Sequence, residues 1–187
     1  LNATVTVHKA NLDAIAHEAS RAYLQENPEL TFQYEGFVND ENASFLNEEP
    51  SISTTANASS PAGEYPITLS GGADLNYHFH HHGSVLTIGK TTQHLDLFAV
   101  DSNATYGDEP LELEGSATSG LPVHYSSSDP TVLEVNGTQL KVRGAGVAVI
   151  QAHQPGDGNY FAAPDLNATV TVGKAALDAI SHEATRA

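Results

Sequence analysis

The sequence contains no cysteine, no methionine and no tryptophan. Without cysteine there are no disulfides and no thiolate metal sites, so any bound metal must be held by nitrogen or oxygen donors. Basic residues are scarce: 7 Lys+Arg stand against 23 Asp+Glu, for a formal net charge of −16. Nucleic acid and anionic membrane both reward a basic face, so both are excluded as partners. The same charge favours solubility and mutual repulsion between neighbouring copies. No apolar run approaches the roughly 18 residues that a bilayer-spanning helix needs, which excludes membrane insertion of that kind. No signal peptide is visible, as expected of a sequence whose ends fall inside a repeat.

That repeat is the strongest feature present. Leu1–Ala22 returns as Leu166–Ala187, with differences only at His8/Gly173, Asn11/Ala176, Ala16/Ser181 and Ser20/Thr185. Near-identical segments at a fixed offset mark a tandem array. An enzyme gains little from head-to-tail copies, whereas a stalk, fibre or multivalent binder gains reach or avidity. One period holds two unlike halves, each long enough to bury a modest core without metal or disulfide.

Alternation of apolar and polar residues dominates both halves, so the expected fold is all-β. Leu1, Ala3, Val5 and Val7 would line one face of a strand, as would Leu166, Ala168, Val170 and Val172. Further strands are expected at 30–37, 51–56, 63–70, 75–81 and 84–88, then at 94–99, 111–115, 123–127, 132–135, 139–143 and 145–153. Turn chemistry separates them: Ser60-Pro61, Gly71-Gly72, Asp129-Pro130, Asn136-Gly137 and Pro155-Gly156. Short strands at this spacing predict two tandem β-sandwich, Ig-like domains. The segment 39–46, with its capping residues, predicts one short helical turn whose Phe45 and Leu46 close an end of a sheet. Leu12–Tyr23 fits either helix or strand by its apolar spacing, and strand is favoured.

Two stretches carry family resemblances. Ala19–Tyr23, Asn27–Leu30, Tyr34–Asn39, Pro50–Ala56, Ser59–Ile67, Ser70–Gly72, Asn76-Tyr77 and Gly83–Ile88 together resemble the MBG-type (YGX-type) repeat of large bacterial surface proteins. The tyrosine motif that often ends with glycine reads Tyr23-Leu24 here, and a histidine run follows Asn76-Tyr77. Thr105–Asp108, Ser119–Val123, Tyr125–Pro130, Gly144–Gly146 and Gly158–Pro164 resemble a bacterial Ig-like domain. The resemblance implies sandwich domains strung in arrays within adhesins, extracellular or on the cell surface, with no catalytic residues. It divides the chain into 1–8 (last strand of a preceding Ig-like repeat), 9–90 (MBG-type domain), 91–173 (Ig-like domain) and 174–187 (first strand of the next MBG-type repeat). The junctions at 89–92 and 173–175 are short, so successive beads are expected to be semi-rigid.

Several residues could carry chemistry. If Leu75, Tyr77 and Phe79 face the core, His78, His80 and His82 share the opposite face. At ~6.6 Å between alternate residues, such imidazoles could converge on Zn²⁺ or Cu²⁺. Calcium is the one cofactor the composition suggests. Its candidate ligands are Asp101, Asp108, Asp157 and Asp165, with Glu109 and Asp129 nearby, although no closely spaced acidic cluster is present. Sequons place candidate glycosylation sites at Asn2, Asn42, Asn57, Asn103, Asn136 and Asn167. No Gly-x-Ser-x-Gly elbow and no phosphate-cradling glycine loop occurs, so no enzyme is expected.

The sequence therefore predicts a structural or adhesive tandem-repeat unit whose partners are neighbouring repeats of the same protein. Two alternatives stand beside it. One is a filament subunit joined to other copies by strand addition. The other is a carbohydrate-binding module for surface glycans, which would need exposed aromatics, whereas Tyr34, Phe37, Tyr65 and Tyr77 fall mostly at expected core positions.

Overall fold

A computed structural model describes residues 3–177. The protein is built of strands and divides into two compact units, Leu1–Thr91 with Gly158–Tyr160, and Thr92–Asp157 with Phe161–Ala187. Among the described residues no helix is long and apolar enough to cross a membrane.

Unit 1 is a sandwich of two sheets. Its strands are β1 (Ala10–Ala16), β2 (Ala19–Ala22), β3 (Phe32–Glu35), β4 (Glu48–Thr54), β5 (Gly63–Ala73), β6 (Tyr77–His82) and β7 (Ser84–Gly89). One sheet runs β3-β1-β6 and the other β2-β7-β5-β4. The ambiguous segment 12–23 is thus extended: β1 pairs parallel with β6, and β2 pairs parallel with β7. Alternation on β5 buries Ile67 and Leu69 between exposed Pro66, Thr68 and Ser70. Pro66 lies beyond Ile67, where pairing with β4 ends, so on that side its missing N–H breaks no ladder bond. Ala14, Ala16, Ala56, Ile67, Leu69, Leu86 and Ile88 form the core.

The segment after β3 differs from expectation. Asn39 and Asp40 adopt φ 57° and 59°, and Glu41 N–H donates to the Val38 carbonyl at 3.1 Å. This is a tight turn of a kind that Asn and Asp tolerate best. A single 3₁₀ turn, Ala43–Phe45, follows, with Asn42 as its cap. It closes no sheet: none of its residues is buried, and Phe45 is exposed, because a three-residue turn cannot press a side chain onto the core.

Unit 2 contains β8 (Leu95–Ala99), β9 (Asn103–Thr105), β10 (Leu111–Glu112), β11 (Glu114–Ala117), β12 (His124–Ser127), β13 (Leu133–Asn136), β14 (Gln139–Val142), β15 (Gly146–His153) and β16 (Leu166–Gly173). The sheets run β12-β15-β16-β9, β10-β14-β13 and β11-β8. The predicted strand 111–115 is two strands in two sheets, and β9 is a strand the alternation did not announce. The main core gathers Leu113, Val132, Leu133, Leu140, Ala148, Ile150, Val170 and Val172. A smaller cluster joins Leu95, Ala117, Ala152 and Ala163.

The predicted strand over 1–8 does not form in its described part: residues 3–9 lie outside any strand, and Val5 and Val7 are exposed. An alternating segment becomes a strand only where a sheet edge accepts its hydrogen bonds and a core accepts its dry face. Residues 174–177 are likewise outside any strand, and the remainder of the expected 174–187 strand lies outside the described residues.

Candidate functional site: the histidine face of unit 1

The outer face of sheet β3-β1-β6 brings histidines and carboxylates together. On β6, Tyr77 is buried and Phe79 half-buried, while His78, His80 and His82 are exposed. Leu75 precedes the strand and is exposed, so it does not extend the inward-facing row. Parallel pairing sets Asp13 beside His80, and antiparallel pairing sets Glu35 beside Asp13. The His78 and His80 rings meet edge to face with centroids 5.0 Å apart. His82 turns elsewhere: its Nε2 lies 2.6 Å from Asp13 Oδ1. Among the described residues no group of three or more His, Asp or Glu side chains is placed to hold a metal ion. The three histidines share a face but do not converge. Asp13 was not foreseen, since its place beside the run depends on parallel pairing between segments far apart in sequence.

The inner side of the same sheet is aromatic. Phe32, Tyr34, Phe37 and Tyr77 form a chain of edge-to-face contacts with centroids 5.2–5.5 Å apart. The Tyr77 hydroxyl donates to Glu41 Oε2 at 2.6 Å and accepts from Val38 N–H at 3.1 Å, tying the 38–41 turn to β6. Burial, then the hydrogen bond to Glu41, raises the Tyr77 phenol above its ordinary value. Tyr34 is pushed up to about 12 by burial and by nearby Glu49. With Tyr77 buried and Tyr34, Phe37 and Tyr65 half-buried, these rings form no open platform for a sugar.

The candidate calcium ligands are scattered. Asp108 Oδ2 accepts from Thr105 N–H at 2.6 Å, and Asp165 Oδ1 lies 2.6 Å from His153 Nδ1. Asp101 and Asp157 are exposed. Asp129 accepts from the Thr131 hydroxyl at 2.6 Å and its N–H at 2.9 Å, contacts that hold its carboxyl below the usual range.

Among the sequons, Asn42, Asn57, Asn103, Asn136 and Asn167 lie within the described residues and Asn2 outside them. Asn42, Asn57, Asn103, Asn136 and Asn167 are all exposed. Asn42 and Asn57 sit in matching local turns, their side-chain oxygens accepting from the backbone and hydroxyl of Ser44 and Ser59. Asn103 and Asn167 lie on strands, and Asn136 ends β13 at a hairpin.

No curated protein sequence matches the chain. Among solved structures, it is similar to Drosophila N-cadherin EC1-3 at 11% identity, covering 88% of this chain and 68% of that one, with a TM-score of 0.36. It is also similar to Drosophila N-cadherin EC1-4 at 10% identity, covering 89% of this chain and 51% of that one, with a TM-score of 0.34. Residues 12–87 match the MBG domain (YGX type), a span that runs from within β1 to within β7.

Proposed function

We propose that the chain is a structural and adhesive repeat module of a long extracellular or cell-surface protein, serving as stalk, spacer or fibre. The observation that supports this reading most directly is the return of Leu1–Ala22 as Leu166–Ala187 around two β-sandwich units. Repetition of folded beads adds length and valency without new chemistry. The MBG match in unit 1 favours the same class. The acidic surface keeps crowded copies apart. The scattered carboxylates and unconverged histidines give no support to a catalytic role.

The test is a length series. Chains of one, two, four and eight periods are purified, and their contour lengths are read by electron microscopy. Growth by a constant increment per period is expected. Collapse into a globule of constant width would refute the reading. Adhesion is read in parallel as retention of cells or surfaces on beads coated with each chain, which should rise with period number.

A second reading, a filament subunit joined by strand addition, is favoured by one observation: the exposed Val5 and Val7 lie on an unpaired segment of strand-forming sequence. It predicts concentration-dependent assembly of the single 187-residue chain.

A further inference from the structure

Ala3–Val7 and Ala168–Val172 are the same five residues in two environments. In β16, Val170 and Val172 are 0% and 3% exposed. There β16 lies between β15, with Val170 opposite Ala148 and Val172 opposite Gly146, and β9, with Val172 beside Ala104. Val5 and Val7, their counterparts, are 84% and 88% exposed. The contrast reverses beyond the shared lysine. Leu12 is 0% exposed in β1, whereas its counterpart Leu177 is 96% exposed. Lys9 anchors the first copy of the segment to unit 1 by donating to the Asp74 carbonyl at 2.7 Å. Each copy is therefore satisfied on one side: among the described residues the first opens unit 1 and its residues 3–8 join no strand, while the second closes a sandwich.

We propose that the repeated segment is a two-sided joint between successive copies along one polypeptide. Its residues 3–8 are the closing strand of a second copy of unit 2, and residues 175 onward are the opening strand of a second copy of unit 1. The assignment rests on the array reading above and adds the partner, the residues and the register. Val5 pairs with Ala148 of the second copy, and Val7 with Gly146 on one side and Ala104 on the other. A single residue, Lys9 or Lys174, separates the closing strand from the opening one, so one strip of chain serves both sandwiches.

Three of the four sequence differences fall at exposed positions of the seats. His8 stands where β16 has Gly173, whose backbone lies outside the left-handed region and whose added Cβ would meet Ala104 O at an ordinary 3.7 Å. Ala176 stands where β1 has Asn11, an exposed position. Neither of these two touches a core. Thr185 stands at the exposed Ser20 position, and Ser181 stands where β1 has Ala16, 7% exposed in the core of unit 1, so this one difference sets a small hydroxyl at a core position. The occupant of the Val5–Val7 face is thus specified as this same sandwich: the face already has a buried counterpart in it, residue for residue.

The test is a chain of residues 1–187 followed directly by residues 23–187, which adds one period, read by hydrogen exchange. In the single chain, residues 175–177 are expected to exchange freely and residues 10–12 slowly. In the extended chain the middle copy of 175–177 is expected to slow by about 100-fold, to the level of 10–12, while the first 3–8 stays fast as an internal control. Unchanged fast exchange in the middle copy overturns the proposal. So does concentration-dependent protection of 1–8 in the single chain, which would mark exchange of strands between molecules. Two substitutions in the single chain test the seats if the extended chain folds poorly. Gly173→His and Asn11→Ala each give a strand its counterpart's residue, and each should shift Tm by less than about 2 °C. A large drop or loss of folding with Gly173→His overturns the proposal, because residues 1–8 would then not fit. Failure of this joint is distinguishable from failure of the array reading. Loosely joined beads would still lengthen with period number while showing no protection.

Discussion

Arg21 Nη2 donates to the backbone carbonyl of Asn57, 36 residues away, from a side chain that is 8% exposed. The rest of the guanidinium is equally occupied: Nε donates to Asn27 Oδ1 at 2.7 Å and Nη1 to the Ala22 carbonyl at 3.1 Å. Asn27 in turn donates to the Ala56 carbonyl at 2.7 Å. In a strongly acidic chain this buried cation is held by neutral oxygens, with its fork joining β2 to the loop after β4. Arg21→Ala would remove three bonds and leave the half-buried Asn27 amide oxygen without its donor, costing unit 1 about 1–3 kcal/mol. Arg21→Lys would recover only part of that, because an ammonium cannot reproduce the fork. Urea unfolding followed by tyrosine fluorescence measures both. If the alanine variant loses less than about 0.5 kcal/mol, the range of an ordinary surface substitution, the network does not stabilise the fold.

Leu24 sits at φ 67°, in the left-handed region, with its side chain exposed. It occupies the position where the tyrosine motif often ends with glycine, and the backbone has kept the glycine's conformation. A leucine there is strained, and its exposed side chain gains little from packing. Leu24→Gly should therefore stabilise unit 1 by about 0.5–1 kcal/mol, the released strain exceeding glycine's greater freedom in the unfolded chain. A thermal melt that moves downward would show that Leu24 packs better than its exposure indicates.

The sandwich character was readable because alternation such as that of Tyr65, Ile67 and Leu69 reports a half-buried strand directly. The stretch that matches the MBG domain was readable from its Tyr, Gly and Pro punctuation. What escaped was long-range. Asp13 reaches His82 only because β1 pairs parallel with β6, and no local pattern encodes a partner so distant in sequence. Phe45 looked like a plug but stands in solvent, since apolar character alone does not fix which way a short turn faces. Of the strand expected at 1–8, residues 3–8 have the right pattern and join no sheet among the described residues, because alternation reports a strand's faces and not the edge it would need.

Asp74 organises the entry to β6. Its carboxylate accepts from the backbone N–H of Asn76 at 2.7 Å, Tyr77 at 3.1 Å and Asn47 at 3.2 Å. The bond from Asn76, then those from Asn47 and Tyr77, hold its carboxyl below the ordinary 3.8. A folded-state value below the unfolded one means that the stabilisation is complete above 3.8 and disappears as pH falls through the folded value. Unit 1 should then hold a constant Tm from neutral pH down to the carboxylate range and lose stability below it. Asp74→Ala should lower Tm at pH 7 and flatten the acid limb, the two proteins converging near pH 2. Parallel melts at pH 7, 5, 3 and 2 measure this, and a mutational difference that persists undiminished at pH 2 would mean that the charge is irrelevant.

Unit 2 contains a buried amide pair that acts as one device. Gln154 and Gln93 are 2% and 5% exposed. Gln154 Oε1 accepts from Gln93 Nε2 and from Gly156 N–H, each at 2.5 Å. Gln93 Nε2 also donates to the Phe161 carbonyl at 2.7 Å, and its Oε1 accepts from the Ser119 hydroxyl. Removing either amide leaves the other one bond short in a dry site, so Gln154→Ala and Gln93→Ala should each cost about 1–3 kcal/mol. Removing both strands less than the sum implies, because the shared bond is lost once and neither amide remains to be orphaned. The double variant should accordingly fall short of additivity by about 1 kcal/mol or more. Urea unfolding of unit 2 for the four proteins of the cycle gives the coupling. Strict additivity would mean that the two glutamines are independent and that each finds water when its partner is gone.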